Sequence, residues 1–591
     1  MDVMTNPQLP HQATGSHEIR PPSPEPPPPR PHRPIYSAGP APVHTVSSAT
    51  RHLSAGAYLD DRFRRDSLNQ VYHQTKRLVA PSYGYDVITV LGHCLRATRM
   101  ANIRDAAIVG LLIVALCAAP FVATVTLCTL IGIHLTVSTL RVLRATGREM
   151  QGDQPFNGLA VLVRLLRLFF QLVVSAILVS LASLPLLFGL LATGRDTATA
   201  SAITASAQQG ASFLISVLFA IPVAMSVWRQ RQLDRLAPGQ PSAVTEPNPR
   251  FDEIRRQDGG NVVVYSGYWP FVGSGRVLKS WGFAQRLVRR TDPLGLARPE
   301  AEREFREPPF VAEDIIKHVR DHLGGLTAAT SPEQQLPGLT ITDRVFLAGT
   351  ETSRLVPHMS AEQVDQVVRH PTAPARHYLV CQVVSWRGEL VTTVYVHFAV
   401  QGRSLYTELT SMALPPCDER YRIIDQVDGT GPTAYLRGIV RSLTECPQII
   451  GVAPLNLLRA GYDSVVASFA RTDGPTGPDQ VTIGYDYGAR FSVRELGTAL
   501  DTRNHTQTQD IEKYQRVIER RVLAAILDFL EGRGVDTSEY RQRVMTLLSA
   551  GAVVTGSGSV NVYGDAIGSQ FQQGAPAPAP TGSGAPTGSG V

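Results

Sequence analysis

The 591-residue sequence predicts an α-helical membrane anchor of about four apolar passes, followed by a cytoplasmic α+β domain. Three observations predict this fold class. The apolar residues are concentrated in residues 105–230, although the mean hydropathy of the whole chain is only −0.02. Short β-branched and aromatic runs separated by Gly and Pro begin near residue 245, and helical periods follow them. Both ends of the chain lack a pattern that could form a core.

These patterns divide the chain into five segments. We expect a disordered Pro-rich tail at 1–50, because nine of the fourteen residues in 21–34 are Pro. The other segments are a juxtamembrane segment at 51–104, transmembrane helices at 105–230, the α+β domain at 245–550 and a low-complexity Gly/Ala/Pro tail at 551–591.

The first apolar run is long enough for two passes. Ala106–Leu140 has 35 residues with Pro120 near its centre, whereas a spanning helix needs about 20. A hairpin that turns near Pro120 gives two passes, and the apolar runs at 168–193 and 211–228 give two more. The alternatives for residues 106–140 are a re-entrant pair of helices and one long helix that lies on the membrane surface.

Arginines set the expected orientation. Residues 1–240 carry 21 basic and 12 acidic side chains, and Arg flanks most ends of the apolar runs. The connector at 194–210 has only Arg195, next to Asp196. Because the cytoplasmic flanks of membrane helices are rich in Lys and Arg, we expect the connector outside and both termini in the cytoplasm. The expected location is the cell membrane.

Composition disfavours two classes of protein. Residues 241–591 carry 35 basic and 38 acidic side chains, so the soluble part lacks the positive charge of a nucleic-acid-binding domain. Six cysteines without a CxxC pair disfavour a zinc ribbon or a disulfide framework and favour a reducing compartment. The expected partners are therefore the lipid bilayer and a protein, with no nucleic acid.

Strands and helices alternate in the predicted soluble domain. Two strand-like runs flank the turn Arg387–Gly388 and predict a hairpin. Further strands are predicted at 261–265, 281–288, 344–348 and 403–413, and helices at 310–323, 361–369, 431–445, 507–531 and 537–549.

The predicted helix at 507–531 has one apolar stripe. Its members are three or four residues apart and are Ile511, Tyr514, Ile518, Val522, Ala525 and Phe529. We expect the stripe to pack on the sheet of its own chain or on the same helix of a second chain, which would make a homodimer. Thr506 and Gln509 fit a capping box at the start of this helix.

No motif in the sequence names a reaction. The string GSGRVLKS at 273–280 places Gly273, Lys279 and Ser280 as in a phosphate-binding loop, but Leu278 stands where the second Gly is required. The run that follows is typical of a strand, whereas such a loop opens into a helix. Hydrolase, zincin and kinase motifs are missing from the sequence. Enzymatic activity is left open, and no cofactor is expected.

One pair of histidines has metal-ligand spacing. His318 and His322 are four residues apart on the predicted helix at 310–323, and Asp314 lies one turn earlier on the same side. Two imidazoles at this spacing can share a metal ion. Asp314, His318 and His322 are therefore a candidate metal site, and half-buried histidines beside an apolar stripe are the alternative.

An aromatic cluster marks the turn YSGYWPFVGSG at 265–275. Tyr265, Tyr268, Trp269 and Phe271 lie within seven residues, and Gly and Pro constrain the path of the chain. Clustered aromatic side chains anchor many interfaces. These four residues form the candidate docking turn, with packing in the domain core or against lipid headgroups as the alternatives.

Three segments resemble a known family. They are NVVVYSGYWPFVGSG at 261–275, WGFAQRL at 281–287 and EKYQRVIERRVLAAILDFLEGRGVDTSEYRQR at 512–543. They are similar to segments of an uncharacterised actinobacterial multi-pass membrane protein family with a Y-x-PFVG-x-G turn, and the resemblance covers most of 85–550. It implies apolar hairpins followed by a large cytoplasmic part. It implies no activity and no catalytic residue.

Two functions from different classes fit these observations. The first is a membrane-anchored cytoplasmic binding or scaffold module, because a domain of roughly 300 residues without catalytic motifs follows the anchor. The second is a membrane-bound enzyme whose acidic and histidine residues meet only in the folded 245–550 domain. A transporter or channel is the weakest hypothesis, because the apolar passes lack polar pairs.

Overall fold

The computed structural model describes residues 47–120, 122–133, 135, 170, 173, 197–239, 248–291, 299–328, 335–351, 355–472 and 485–550. The helices that precede the sheet are α1 (Ser48–Leu59), α2 (Asp61–Ser67), α3 (Val87–Ala118), α4 (Val122–Ile133), α5 (Thr197–Asp234) and α6 (Pro249–Asp258). The later helices are α7 (Glu300–Arg303), α8 (Ala312–Ala328), α9 (Ala361–Arg369), α10 (Pro432–Thr472), α11 (Val493–Leu496), α12 (His505–Gly532) and α13 (Ser538–Ala550). The strands are β1 (Val262–Tyr265), β2 (Arg276–Arg286), β3 (Leu339–Ala348), β4 (Arg376–Ser385), β5 (Leu390–Gln401) and β6 (Ser404–Leu414).

The six strands form one mixed sheet in the order β1-β3-β4-β5-β6-β2. β1 pairs with β3 in parallel, and the remaining pairs are antiparallel. The predicted hairpin is confirmed, because β4 and β5 flank a tight turn in which Arg387 and Gly388 both have positive φ. β6 continues it into a meander, as 403–413 predicted. β5 is buried over most of its length, as expected for a strand covered on both faces.

Two helices cover one face of the sheet. Ile315 and Val319 of α8 and Ile518 and Val522 of α12 belong to the same buried cluster as Val396 of β5. The apolar stripe of α12 therefore packs on the sheet of its own chain, which is one of the two arrangements that the sequence predicts. A homodimer through the same residues would have to displace this contact.

The segment before the apolar helices packs into a buried cluster with residues from later parts of the chain. Leu53 of α1, Phe63 of α2 and Leu91 of α3 share a buried cluster with Phe251 of α6 and Tyr421. The sequence predicted 51–104 only as a juxtamembrane segment. Its contacts with residues more than 150 positions away could not be read from local periodicity, which reports only which face of an element is apolar.

α3 and α5 are the two described helices that are long and apolar enough to cross a membrane. α3 begins at Val87, well before the predicted start of the first pass at Ala106, and ends at Ala118. Ala119 has a non-helical φ of −149°, so the run 106–140 is not one uninterrupted helix. The shorter apolar helix α4 follows. The predicted pass at 168–193 lies outside the described residues, apart from 170 and 173.

α10 is much longer than the predicted helix at 431–445. It has 41 residues and continues through Pro447 and Pro454, although an internal Pro costs a helix about 3 kcal/mol. Ile450 and Ala453 of α10 pack in one buried cluster with Ile108 of α3 and Leu218 of α5. This packing against both apolar helices offsets the lost backbone hydrogen bonds.

Candidate functional sites

α8 and α12 bring three potential metal ligands together. His318 and His322 lie on one face of α8 with their ring centroids 4.2 Å apart. Asp528 of α12 faces them, with its Oδ2 atom 3.2 Å from His318 Nε2 and 3.5 Å from His322 Nε2. All three ligand atoms lie within 4.8 Å of one another. We call His318, His322 and Asp528 the His-His-Asp cluster.

Asp314 is not part of this cluster. Its carboxylate lies 3.5 Å from Arg533 Nη2 and also 3.5 Å from the backbone N of Val311 at the start of α8. The two predicted histidines lie on one face of α8, whereas the predicted third residue, Asp314, points to other partners. The carboxylate that faces the histidines is that of Asp528, because α8 and α12 pack side by side on the sheet.

Several contacts fix the orientation of the two imidazoles. The Nδ1 atom of His322 lies 3.1 Å from the backbone O of His318, a distance at which an Nδ1–H donates to the carbonyl. The His318 ring lies against the ring of Phe529, at 5.2 Å between centroids. His318 Nε2 is shielded from solvent and forms no hydrogen bond to the described residues, despite its approach to Asp528. Both Nε2 atoms therefore face the same carboxylate oxygen.

The candidate docking turn divides into core and surface residues. Phe271 is 3% exposed and stacks on Tyr395, with ring centroids 4.1 Å apart. Tyr265 is partly buried at the end of β1. Tyr268 is 62% and Trp269 39% exposed, and their rings meet edge to face at 5.4 Å. Only these two of the four aromatic side chains present a surface to a partner.

The glycines that follow bind a carboxylate of the same chain. The backbone N–H groups of Gly273 and Gly275 donate to Glu495 Oε1, at 2.9 and 3.1 Å. Both glycines have positive φ, of 91° and 81°, which directs two amides to one oxygen. Burial raises the pKa of Glu495, and these hydrogen bonds oppose that shift. The loop opens into β2, not into a helix, and its amides bind Glu495.

Sequence reasoning missed an ionic cluster whose centre, His52 and Glu389, is buried. The His52 ring of α1 lies between two carboxylates, with Nδ1 2.6 Å from Glu389 Oε1 and Nε2 2.7 Å from Asp425 Oδ2. Arg422 Nη2 donates to Glu389 Oε2 at 2.6 Å, and the backbone N of Cys417 donates to the same atom at 3.0 Å. We call His52, Glu389, Cys417, Arg422 and Asp425 the His52 cluster.

The His52 cluster is better explained as a structural junction than as a metal site. Both ring nitrogens of His52 already have carboxylate partners, and Arg422 neutralises Glu389. Burial raises the pKa of the Cys417 thiol well above its ordinary value, which disfavours the thiolate that a metal needs. The cluster ties α1 to the β4–β5 turn and to residues 419–425.

The charges of this cluster predict that stability falls as the pH rises above 6.5. Burial lowers the pKa of His52, but its bonds to Asp425 and Glu389 outweigh burial and leave the pKa above its ordinary 6.5. A raised folded-state pKa gives a stabilisation that is complete below pH 6.5 and is lost as the pH rises through the folded-state value. We expect the melting temperature of the full chain to fall over this range, and His52→Gln to remove that part of the pH dependence. If the melting temperature of His52→Gln depended on pH as in the parent chain, this prediction would be wrong. The control is His370→Gln, which replaces an exposed histidine.

Comparison with known proteins gives one match. Residues 280–562, just under half of the chain, match the AbeC-like domain family. This stretch contains the second part of β2, from Ser280 onward, the other strands except β1, and the whole His-His-Asp cluster. It excludes α3, α5 and the exposed pair Tyr268 and Trp269. No curated protein and no solved structure matches the chain.

Proposed function

We propose that the protein is a membrane-anchored cytoplasmic binding or scaffold module of the cell membrane, with several passes and both termini in the cytoplasm. The observation that carries the proposal is the exposure of α3 and α5. In the most apolar 18-residue stretch of each helix, only 17% and 28% of residues are buried. The core helix of a soluble protein would bury most of such a stretch, so these side chains need an apolar environment that the described residues do not provide.

A second observation is the outer face of α10. Its large apolar side chains are exposed although the opposite face packs against α3 and α5. The exposed ones are Leu436, Val440, Leu443, Val452, Leu455, Leu458, Tyr462, Val465 and Val466. An apolar row beside candidate spanning helices fits contact with lipid at the membrane interface.

The arginine distribution supports the orientation. Met100 of α3 and Leu233 of α5 share a buried cluster, so the two helices meet at the end nearer the sheet domain. Arg96 and Arg99 lie at this end of α3, and Arg231 and Arg235 at the same end of α5. Positive charge concentrated at one end of two spanning helices favours that end, and the domain attached to it, on the cytoplasmic side.

Cysteine labelling tests this topology. The test uses variants in which the exposed Cys117 is replaced by Ser. A membrane-impermeant maleimide added to intact cells should modify the Ser201→Cys variant. It should modify Gln366→Cys, at an exposed position of α9, only after the membrane is opened. Labelling of both positions from outside would contradict the cytoplasmic domain, and release of the chain from membranes by alkaline carbonate would contradict the anchor.

The second candidate function is a membrane-bound enzyme, and the His-His-Asp cluster favours it. Three protein ligands leave a coordination position free for water or substrate, which is the arrangement of catalytic zinc sites. The binding module remains the first proposal, because its support does not require a bound ion. Tyr268 and Trp269 are then the proposed contact with a protein partner.

A further inference from the structure

We propose that His318, His322 and Asp528 bind one divalent transition-metal ion, with Zn²⁺ as the best-fitting ion. The inference is independent of the membrane proposal, because it uses only the packing of α8 against α12.

The carboxylate oxygen lies from each imidazole nitrogen at the spacing that neighbouring ligand atoms have around zinc. Zn–N and Zn–O bonds of about 2.0–2.2 Å place neighbouring ligand atoms about 3.3–3.6 Å apart. The two distances from Asp528 Oδ2 to the imidazole Nε2 atoms are 3.2 and 3.5 Å. Little movement of the side chains is needed to place an ion between them.

The contact of His322 with the backbone prepares it for a metal. When Nδ1–H donates to the His318 carbonyl, Nε2 carries a lone pair and no proton. Metal-bound histidines almost always donate their second ring N–H in this way, which fixes the tautomer and the ring. A hydrogen bond from His322 to the carboxylate would need a proton on Nε2 as well as on Nδ1, as in the imidazolium.

His318 adds an unsatisfied polar atom. Its Nε2 atom is buried and forms no hydrogen bond among the described residues. Asp528 Oδ2 lies 3.2 Å away but not in the geometry of a hydrogen bond, and an ion between the two atoms would bond to both. Phe529 holds the ring from one side, so His318 is a fixed ligand rather than a mobile surface histidine.

The donor set selects the class of ion. Imidazole nitrogens favour zinc and the other later first-row metals, whereas Mg²⁺ prefers oxygen ligands alone. Asp528 is 67% exposed at its side chain and His322 36%, so the remaining coordination position is open to solvent. Zn²⁺ is the best fit because it accepts two imidazoles, one carboxylate and a water in a tetrahedron.

Zinc titration of the full chain tests the proposal. The chain is purified in detergent through a tag without histidine, stripped with a chelator and titrated by calorimetry with Zn²⁺ and, separately, with Mg²⁺. We expect one Zn²⁺ per chain, no Mg²⁺, and a rise in melting temperature with Zn²⁺ that the chelator reverses, because the ion binds only when α8 and α12 are packed. Replacing a group that only hydrogen-bonds to a metal ligand costs about 10–100-fold in affinity, so His322→Ala and Asp528→Asn should each weaken Zn²⁺ binding at least about tenfold.

Asp314→Asn is the matched control. It removes a carboxylate from the same helix face but outside the cluster, and should leave the Zn²⁺ affinity unchanged. Equal loss in Asp314→Asn and Asp528→Asn would overturn the assignment of the third ligand. Unchanged stoichiometry and affinity in His322→Ala, or no binding by the parent chain, would overturn the site. Asp528 is exposed, so Asp528→Asn gives a folded variant even where a histidine variant does not.

Discussion

Glu389→Gln is expected to lower the free energy of unfolding by about 3–5 kcal/mol, the cost of removing one partner from a buried ion pair. Burial raises the pKa of Glu389, but the hydrogen bond from His52 and the nearby arginines outweigh burial and lower it to about 2. The carboxylate is therefore charged and faces His52 and Arg422. The neutral amide of Gln removes the negative charge that faces His52 and Arg422, where both side chains are shielded from water.

The measurement is urea unfolding of the full chain in detergent, followed by far-UV circular dichroism. Glu512→Gln is the control, since it removes the carboxylate of an exposed pair with Arg516 on the surface of α12. Exposed pairs contribute about 0.3–0.5 kcal/mol, so this variant should stay near the parent. Equal effects of the two substitutions would show that the His52 cluster does not stabilise the fold.

The elements of the sheet domain could be predicted because their signals are local. The hairpin around Arg387, the helix Ala361–Arg369 and the stripe of α12 each depend on residues within one element. Ends of elements were less accurate. The sequence predicted a capping box at Thr506 and Gln509, which was wrong, because the helix begins at His505 and Asn504 caps it by accepting from the backbone N of Gln507.

The residues of the two clusters could be predicted only in part. The i, i+4 spacing revealed His318 and His322, but Asp528 comes from a helix about 200 residues later, and only the packing of α8 on α12 brings it near. The one signal in the sequence was that Asp528 directly precedes Phe529, a member of the apolar stripe of α12. His52 and Glu389 are 337 residues apart, and nothing local marks either of them.

α10 shows a second reason why an element was predicted incorrectly from the sequence. The predicted helix ends at 445, just before Pro447, whereas the observed helix continues through Pro447 and Pro454 to Thr472. Helix propensity is a weak guide where packing compensates for it. Here Ile450 and Ala453 contact both apolar helices, and this contact is tertiary.

Phe271→Ala is expected to lower the free energy of unfolding by about 3–5 kcal/mol, the usual cost of deleting a buried phenylalanine. Phe271 stacks on Tyr395 and meets Phe346 and Tyr378 edge to face at 5.4 and 5.2 Å. These rings form the core on the face of the sheet opposite to α12. Deletion of the ring leaves a cavity that the surrounding rigid rings cannot fill.

Trp269→Ala tests the other part of the same turn. Trp269 is exposed and contacts Tyr268, so its removal should change the free energy of unfolding by less than about 1 kcal/mol. If Trp269 and Tyr268 bind a protein partner, Trp269→Ala should also abolish its co-purification with the folded full chain. The full chain is required, because α1 to α3 contribute to the domain core. A large loss of stability in Trp269→Ala would assign Trp269 to the core. Unchanged stability with every partner retained would remove the docking proposal, because Trp269 would then contribute neither to the core nor to partner binding.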